Sequence, residues 1–135
     1  MKTPKSAKII ILDSKNNVLV LRRSHSHPFD PLAPDLPGGT IGPDEDFALG
    51  ALRELREETG IVLNVADLTL IHDKKRPVHH RVLFVAKYPM SYPGIKISWE
   101  HSSFEWVPLH DLVGLETPVQ RAFDDARNSI KLDAL

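Results

Sequence analysis

The spacing of apolar residues near the N-terminus predicts two strands. Residues 7–12 (AKIIIL) and 18–23 (VLVLRR) are rich in β-branched and apolar side chains, and they flank the polar stretch Asp13–Asn17. This arrangement is typical of a β-hairpin. Residues 24–37 contain four of the eleven prolines and have no regular spacing, so they predict a long irregular loop. A loop of that length is often functional.

The spacing changes to a helical one in residues 46–59. At about 100° per residue, one face collects four apolar side chains, namely Ala48, Ala51, Leu52 and Leu55. Pro43 and Asp44 mark the start of this helix. Gly60, followed by an apolar residue, is typical of a left-handed stop.

The rest of the chain alternates between strand and helix patterns. We predict strands at about 62–71 and 80–88, a turn at Tyr92–Gly94, strands near 95–99 and 103–107, and a helical turn at Leu109–Val113. Thr117 and Pro118 supply an N-cap and a first-turn proline for a last helix that reaches about Asn128. Such a mixture predicts a layered α/β or α+β domain.

Composition narrows the class of protein. With 135 residues, 41% hydrophobic and 26% charged, the chain suits one globular domain over 1–135. It has no cysteine, so disulfides and thiolate metal sites are excluded, and a cytoplasmic location is expected. The only apolar run near the N-terminus is Ile9 to Leu12, too short for a membrane span.

The net charge of −1 hides an uneven distribution. Residues 39–61 hold six acids and two arginines, which leaves 12 acids and 15 bases elsewhere. An acidic patch in a mildly basic remainder suits a cation site that faces an anionic ligand. It does not suit a protein that binds a nucleic acid polymer.

Three glutamates lie where a helix disfavours them. Glu54, Glu57 and Glu58 form one stripe about 100° wide beside the apolar face, in the last turns before Gly60. Their mutual repulsion and the helix dipole together cost on the order of 1–3 kcal/mol. A solvated charged face is the simple interpretation. A bound divalent cation would turn the repulsion into attraction, and Mg²⁺ or Mn²⁺ prefers such oxygen ligands.

A resemblance favours the metal site. Gly39, then five residues, Glu45, seven residues and the run Arg53–Ile61 (RELREETGI) fill all nine fixed positions of the 23-residue Nudix box. Weaker similarity flanks the box, at Leu21–Arg23, Leu36–Gly39 and Glu100–Val107. The chain therefore resembles a Nudix hydrolase. This implies an α/β/α sandwich in which a mixed sheet lies between the box helix and the C-terminal helix.

The resemblance also implies the chemistry. Nudix hydrolases cleave a diphosphate linked to a nucleoside with Mg²⁺ or Mn²⁺, which neutralises phosphate oxygens and orients a water. Matching positions make Glu57 and Glu58 metal ligands and Glu54 a ligand or general base. The carbonyl of Gly38 completes the set, unless Gly38 and Gly39 form only a tight turn. Arg53 would orient a box glutamate, with a surface ion pair as the alternative. Glu45 either pairs with Arg53 or only favours the helix start.

Residues outside the helix complete the expected site. Glu100 is the candidate for a further metal ligand or base, with a plain loop acid as the alternative. Arg22 and Arg23 end a strand where related enzymes place a phosphate-binding arginine. Because strand neighbours point to opposite faces, only one of the two should face the site, and we favour Arg23. Arg76, in the basic stretch 74–76 with Arg81 nearby, either binds phosphate or is a solvated cation.

Histidine placement gives weaker indications. His25 and His27 could line a nucleotide pocket or lie at the surface. His79 and His80 are adjacent on a strand and should diverge, so they do not predict a zinc site.

The substrate stays open at this level. The arginine pair and the Pro37–Gly39 run resemble nucleoside triphosphate pyrophosphohydrolases that act on oxidised nucleotides, whereas Pro77, sixteen residues after Ile61, is a feature of ADP-ribose pyrophosphatases. His79 stands where diadenosine polyphosphate hydrolases carry a tyrosine. Gly42, Asp44 and Pro34 depart from common residues of the family, which puts loop shape and substrate choice in doubt.

Alternatives of other classes are disfavoured. A non-catalytic Nudix domain that senses a nucleotide often has an eroded box and a fused DNA-binding segment, and this chain has neither. The isomerase branch needs a cysteine. We expect a small-molecule nucleotide as partner, no membrane, and a possible homodimer, since dimers are common among relatives.

Overall fold

The predicted hairpin begins the fold. The computed structural model describes residues 3–28, 30–89 and 94–130. Strands β1 (Lys5–Leu12) and β2 (Asn17–Arg23) are antiparallel across a turn in which the carboxylate of Asp13 accepts hydrogen bonds from the amides of Lys15 and Asn17, at 2.9 and 2.8 Å. Two amide donors that would otherwise need water are thereby satisfied. The prediction of a hairpin is confirmed.

The hairpin lies at the centre of a mixed sheet. The other strands are β3 (Pro34–Asp35), β4 (Gly38–Ile41), β5 (Thr69–Arg76), β6 (His79–Lys87) and β7 (His101–Pro108). Their order is β3-β2-β1-β6-β5, and β4 pairs with β1 while β7 pairs with β2. Strands β1 and β6 are parallel, and the other pairs are antiparallel. A parallel pair needs a long crossover connection, and the segment that contains the acidic helix provides it.

Each face of the sheet is covered by a helix, which confirms the predicted α/β/α sandwich. Helix α1 (Phe47–Thr59) packs on the face that carries Ile9 and Ile11, and helix α2 (Thr117–Arg127) packs on the face that carries Ile10 and Leu12. Alternate residues of β1 therefore feed two separate apolar cores. Because β1 is buried on both faces from Ala7 to Leu12, that part of its sequence is apolar apart from Lys8.

Helix α1 is capped at both ends; the stop at Gly60 is the predicted one, whereas the N-cap is Asp46 and not the predicted start signals Pro43 and Asp44. The side chain of Asp46 accepts a hydrogen bond from the amide of Leu49 at 3.1 Å, which caps the first turn. Gly60 adopts a left-handed conformation with φ 78° and donates its amide to the carbonyl of Arg56. These two caps fix where the last turn, with its acids, meets the rest of the molecule.

Several sequence-based boundaries are wrong. The strand predicted at 62–71 begins only at Thr69, after a short 3₁₀ turn at Val65–Asp67, and it continues to Arg76. Residues 95–99 are not a strand; the amides of Lys96 and Ser98 instead bond to the carbonyls of Thr59 and Glu58. This segment satisfies orphan carbonyls at the helix end, a role that local sequence does not reveal.

Smaller differences lie in the loops. The irregular stretch 24–37 contains the two-residue strand β3, and the helical turn predicted at Leu109–Val113 is a turn over residues 109–111. Of the predicted turn at Tyr92–Gly94, Tyr92 and Pro93 lie outside the described residues. Among the residues described, no helix is long and apolar enough to span a membrane.

Candidate functional site

The acidic stripe of helix α1 meets the sheet at strand β4. Glu58 is buried, with 4% of its surface exposed, whereas Glu57 is exposed on the same turn. One carboxylate oxygen of Glu58 accepts a hydrogen bond from the main-chain amide of Gly38 at 2.7 Å. Gly38 has φ 128°, and a Cβ there would overlap the main-chain oxygen of Ala7. Only glycine allows strand β4 to bring its amide this close to β1 and the helix.

Burial dominates the electrostatics of Glu58. Loss of solvent raises the pKa of its carboxyl from 4.5 to about 8, although Lys8 and the amide of Gly38 act in the opposite direction. Asp35 and Glu54 add to the increase by repulsion. The site therefore disfavours a negative charge on Glu58 unless additional positive charge is supplied.

Glu54 lies against the same strand. The space where Gly39 would carry a Cβ is bounded by the carboxyl group of Glu54, 3.3 Å away, so the absence of a side chain lets the acid approach the backbone. Burial raises the pKa of Glu54; Arg53 opposes this, and repulsion from Glu57 and Glu100 adds to it. Glu100 is thus close enough to influence Glu54 from outside the helix.

Glu100 is held by its backbone. Its carbonyl accepts a hydrogen bond from the amide of Ser24 at 2.9 Å, and its side chain is 38% exposed with an oxygen 3.9 Å from Nε2 of His27. The loop that precedes β7 therefore holds this acid where its charge acts on Glu54, and its role as a ligand or base stays a prediction.

Arg53 connects three glutamates. It donates to both oxygens of Glu45, at 2.8 and 3.0 Å, and to Glu54 and Glu57 at 3.1 and 3.3 Å. The bond from Arg53 lowers the pKa of Glu45 to about 2. Glu45 also accepts from the amide of Gly42, at 3.0 Å. The expected pairing of Glu45 with Arg53 is present, so the acid links the loop to the helix.

A buried polar cluster adjoins these acids, and sequence reasoning missed it. The ammonium of Lys8 lies 3.0 Å from Asp35 and donates to the carbonyl of Gly38 at 3.1 Å. Arg23 bonds to the other oxygen of Asp35 at 3.3 Å, and Nε2 of His101 lies 3.5 Å from that oxygen. Burial alone would raise the pKa of Asp35, but Lys8, His101 and Arg23 hold it far below its usual range.

One signal in the sequence could have revealed this cluster. Lys8 interrupts the apolar run of β1, and a lysine inside a strand that is buried on both faces needs an acidic partner. Asp35 precedes the glycine pair in the stretch PDLPGG, so the partner is part of the loop that carries Gly38.

The two arginines at the end of β2 diverge. Arg22 is half-exposed and pairs with Glu105 at 3.0 Å, while Arg23 is buried and faces Asp35, Asp30 and Glu116. Arg23, together with Pro28, Asp30 and Glu116, lines a cavity of about 570 Å³. Of the pair, Arg23 is the one that lies beside the acidic cluster.

Arg76 lies elsewhere. It ends β5 and lines a separate cavity between the β5–β6 hairpin and helix α2, on the face of the sheet opposite helix α1. The basic stretch 74–76 is divided between the two faces of the sheet. Lys74 lies opposite Arg81 in the strand register, and both line this cavity. Lys75 lies opposite His80, whose ring contacts Phe47 of helix α1.

The histidines also separate. His79 contacts the hydroxyl of Ser6 at 2.8 Å, whereas His80 contacts Asp73 at 2.6 Å, so the adjacent pair diverges as predicted. His27 lies 6.1 Å from the ring of His101, near Glu100.

The donor set suits a hard divalent cation. Carboxylates of Glu54, Glu57 and Glu58 and the carbonyl of Gly38 are the oxygen ligands that Mg²⁺ and Mn²⁺ prefer. Burial raises the pKa of both Glu58 and Glu54, so a cation bound beside them would offset the cost of their negative charge. Within the described part of the chain, however, no three His, Asp or Glu side chains already stand together as a metal cluster. Arg53 holds Glu54 and Glu57 in their present positions.

Comparison with known proteins defines the class. The NUDIX domain profile matches residues 2–129. The chain therefore belongs to the Nudix family, and the family resemblance of the box is confirmed. A comparison with curated protein sequences finds no significant match.

Solved structures agree with the fold. The crystal structure of a MutT protein from Methanosarcina mazei Go1 has a TM-score of 0.71 and 27% identity, covering 96% of this chain and 97% of that one. The NUDIX domain of Shewanella oneidensis NrtR, complexed with ADP ribose, gives 0.72 and 24% over 97% and 90% of the chains. An Ap4A hydrolase from C. elegans gives 0.66 and 22% over 98% and 100%.

Proposed function

We propose that the protein is a metal-dependent pyrophosphohydrolase that cleaves a diphosphate bond in a nucleotide, either a nucleoside triphosphate, oxidised ones included, or ADP-ribose. The observation that carries this proposal is the buried carboxyl of Glu58, whose pKa is about 8 beside Glu54 and the backbone of Gly38. A group kept short of positive charge suits a site that is completed by a divalent cation and its phosphate ligand.

Each residue has a proposed task. Glu57, Glu58 and the carbonyl of Gly38 hold the cation, and Glu54 or Glu100 serves as a further ligand or takes the proton from the attacking water. Mg²⁺ or Mn²⁺, when bound, neutralises phosphate oxygens and makes water a better nucleophile. Arg53 positions Glu54 and Glu57 through the bonds described above.

Outside the helix, Arg23 is proposed to meet a substrate phosphate. Its guanidinium already faces a cavity, but Asp35 holds it, so its contribution is charge and orientation rather than a free donor fork. Arg22, paired with Glu105 at the surface, is the weaker candidate for the same contact.

A second function, ligand sensing without turnover, follows from a different observation. Arg53 engages Glu54 and Glu57 as a rival cation would, and a NUDIX domain of similar fold has been crystallised with ADP ribose. A sensor would bind ADP-ribose and leave it intact.

A substrate panel tests the proposal. Purified protein is incubated with nucleoside triphosphates, their oxidised forms and ADP-ribose, with Mg²⁺, with Mn²⁺ and with chelator. AMP plus ribose phosphate identifies ADP-ribose as the substrate, and a nucleoside monophosphate plus pyrophosphate identifies a triphosphate. Binding of ADP-ribose with no product in any metal supports the sensor. Turnover that persists in chelator contradicts metal dependence.

Variants test the residues. Glu57→Gln and Glu58→Gln should each lower turnover by about two orders of magnitude or more. Asp111→Asn, which removes an exposed acid from the turn after β7, is the control and should retain turnover. The melting temperature of the metal-free Gln variants should hold or rise, which separates loss of chemistry from loss of fold. Unchanged turnover in Glu58→Gln contradicts its assignment.

A further inference from the structure

The cavity that contains Arg76 is strongly cationic. Its volume is about 640 Å³, and its lining includes six side chains that carry or can accept positive charge, namely His72, Lys74, Arg76, His79, Arg81 and Arg121. Asp125 is the one acid among the residues that line it. A cavity of this size holds a small ligand rather than a single water.

Folding places these cations on one face. Lys74 pairs with Arg81 and Arg76 pairs with His79 across the β5–β6 hairpin, and directly opposed strand residues share a face. Arg121 reaches the cavity from helix α2. These cations come from three elements and repel one another. If they only needed contact with water, they could equally well point away from each other.

Arg81 shows what the cavity lacks. Its Nε is enclosed and has no hydrogen-bond partner among the described residues. Burial lowers the pKa of the guanidinium, and Glu116 only partly opposes this. Burial of the Arg81 guanidinium costs free energy, and the charge of an anion in the cavity would offset part of that cost.

The cavity adjoins the acidic site through strand β1. Ser6 contacts His79 of the cavity, and Lys8, two residues further on, contacts the carbonyl of Gly38. Residues i and i+2 of a strand share a face and lie roughly 7 Å apart. Glu116 makes a second connection, because it lies 3.6 Å from Arg23 and also acts on the charges of Arg81 and His79.

We propose that this cavity, formed by Lys74, Arg76, His79, Arg81 and Arg121, binds a phosphate group on the part of the substrate that is not cleaved. The inference rests on the proposed function and deepens it, since it selects nucleotides that carry a phosphomonoester in addition to the diphosphate. An apolar pocket would select a bare base or sugar; a pocket with this charge selects a further anion.

Binding without turnover is the first test. Inorganic phosphate is titrated calorimetrically into metal-free protein, in low salt, with wild type and the double variant Lys74→Ala/Arg121→Ala. Both changes are at exposed positions, so the fold should persist. We expect binding that weakens by about tenfold or more in the variant. The matched control Lys75→Ala/Lys15→Ala removes the same charge from exposed positions outside the cavity lining and should bind as wild type does.

Kinetics form the second test. ADP-ribose and ADP-ribose 2′-phosphate contain the same diphosphate and differ by one phosphomonoester. We expect a lower KM for the phosphorylated compound in wild type, with the advantage lost in Lys74→Ala/Arg121→Ala and retained in the control. Equal KM values in wild type, together with phosphate binding at the cavity, would show that the cavity takes free phosphate and would overturn its role in the substrate.

The outcomes separate the two proposals. The cavity site is overturned, even if hydrolysis is found, if Lys74→Ala/Arg121→Ala binds phosphate as tightly as wild type does. It is also overturned if the two double variants bind phosphate with the same affinity. Phosphate binding that requires Lys74 and Arg121, without hydrolysis of any nucleotide, supports an anion site and overturns the proposed function instead.

Discussion

The carboxyl group of Glu58 and the main-chain amide of Gly38 are joined by a 2.7 Å hydrogen bond that links the end of helix α1 to strand β4. The bond relies on a glycine conformation at one end and a buried acid at the other. It fixes the position of one carboxylate oxygen, and it leaves that oxygen in a place where its charge is poorly compensated.

The first prediction concerns pH. Burial raises the pKa of Glu58 from 4.5, its value in an unfolded chain, to about 8 in the folded protein. The folded state therefore holds the proton more tightly. The associated stability is complete below about pH 4.5 and is lost as pH rises to about 8, on the order of a few kcal/mol. Glu58→Gln should therefore gain stability relative to wild type across pH 5–8 in chelator.

Urea unfolding at a series of pH values measures this difference. Burial lowers the pKa of His72 and His79, so protonation of these histidines destabilises the folded protein as pH falls. Both proteins contain them, so this effect cancels in the comparison. Asp111→Asn, an acid-to-amide change at an exposed position, is the control for the substitution itself. A wild-type curve that parallels Glu58→Gln would contradict the buried, protonated state.

The second prediction compares two adjacent glycines. Gly38→Ala should be severely destabilising, by roughly 3 kcal/mol or more, because its Cβ would overlap the oxygen of Ala7 and the backbone has φ 128°. Gly39→Ala meets only the carboxyl of Glu54 at 3.3 Å, a side chain that can move. We expect it to fold and to lose turnover. Thermal unfolding and the substrate panel check both, and the idea fails if Gly38→Ala melts with wild type.

The third prediction concerns Arg53. Lysine keeps the charge but cannot span Glu45, Glu54 and Glu57 with one planar group. Because Arg53 and Glu57 are exposed and Glu45 and Glu54 are only partly buried, Arg53→Lys should change the free energy of unfolding by less than about 1 kcal/mol while kcat falls by roughly tenfold or more. Arg56→Lys, on the same helix, is the control. A fall in kcat that is accompanied by a large fall in the free energy of unfolding would indicate a structural role only.

The fourth prediction concerns the buried pair of Lys8 and Asp35. Lys8→Met leaves Asp35 with less compensation and should destabilise the protein by about 3 kcal/mol or more. The double variant Lys8→Met/Asp35→Asn removes both charges and should recover part of that loss. Chemical denaturation of the four proteins of this cycle gives the coupling. Additive effects would show that Lys8 acts independently of Asp35.

Sequence was informative where a rule is local. The caps at Asp46 and Gly60 and the period of helix α1 depend on neighbouring residues, so its bounds were predicted to within a residue. The pairing of Arg53 with Glu45 was expected from the family resemblance, with a role at the helix start as the alternative for Glu45. The family resemblance supplied the sandwich, which hydrophobic pattern alone left between two layered classes.

Long-range contacts escaped prediction. Residues 95–99 look like a strand, but the open carbonyls at the end of α1 provide better partners than a sheet edge. Asp35 and Lys8 are 27 positions apart, and nothing local says that they meet. The division of Lys74 and Lys75 between two faces follows from the register of β5 on β6, which the sequence does not specify.

Strand β1 has one consequence for how the chain reaches its native pairing. Its side chains alternate between two interiors, and its only charged residue at a buried position, Lys8, stands opposite Gly38 and Leu83 in the register. A slip by a single position would place the ammonium group in the apolar layer beneath α1 and would deprive Asp35 of one of its two cationic partners, Lys8 and Arg23. Both effects raise the free energy of misaligned forms, so Lys8 helps to specify the native register of the sheet.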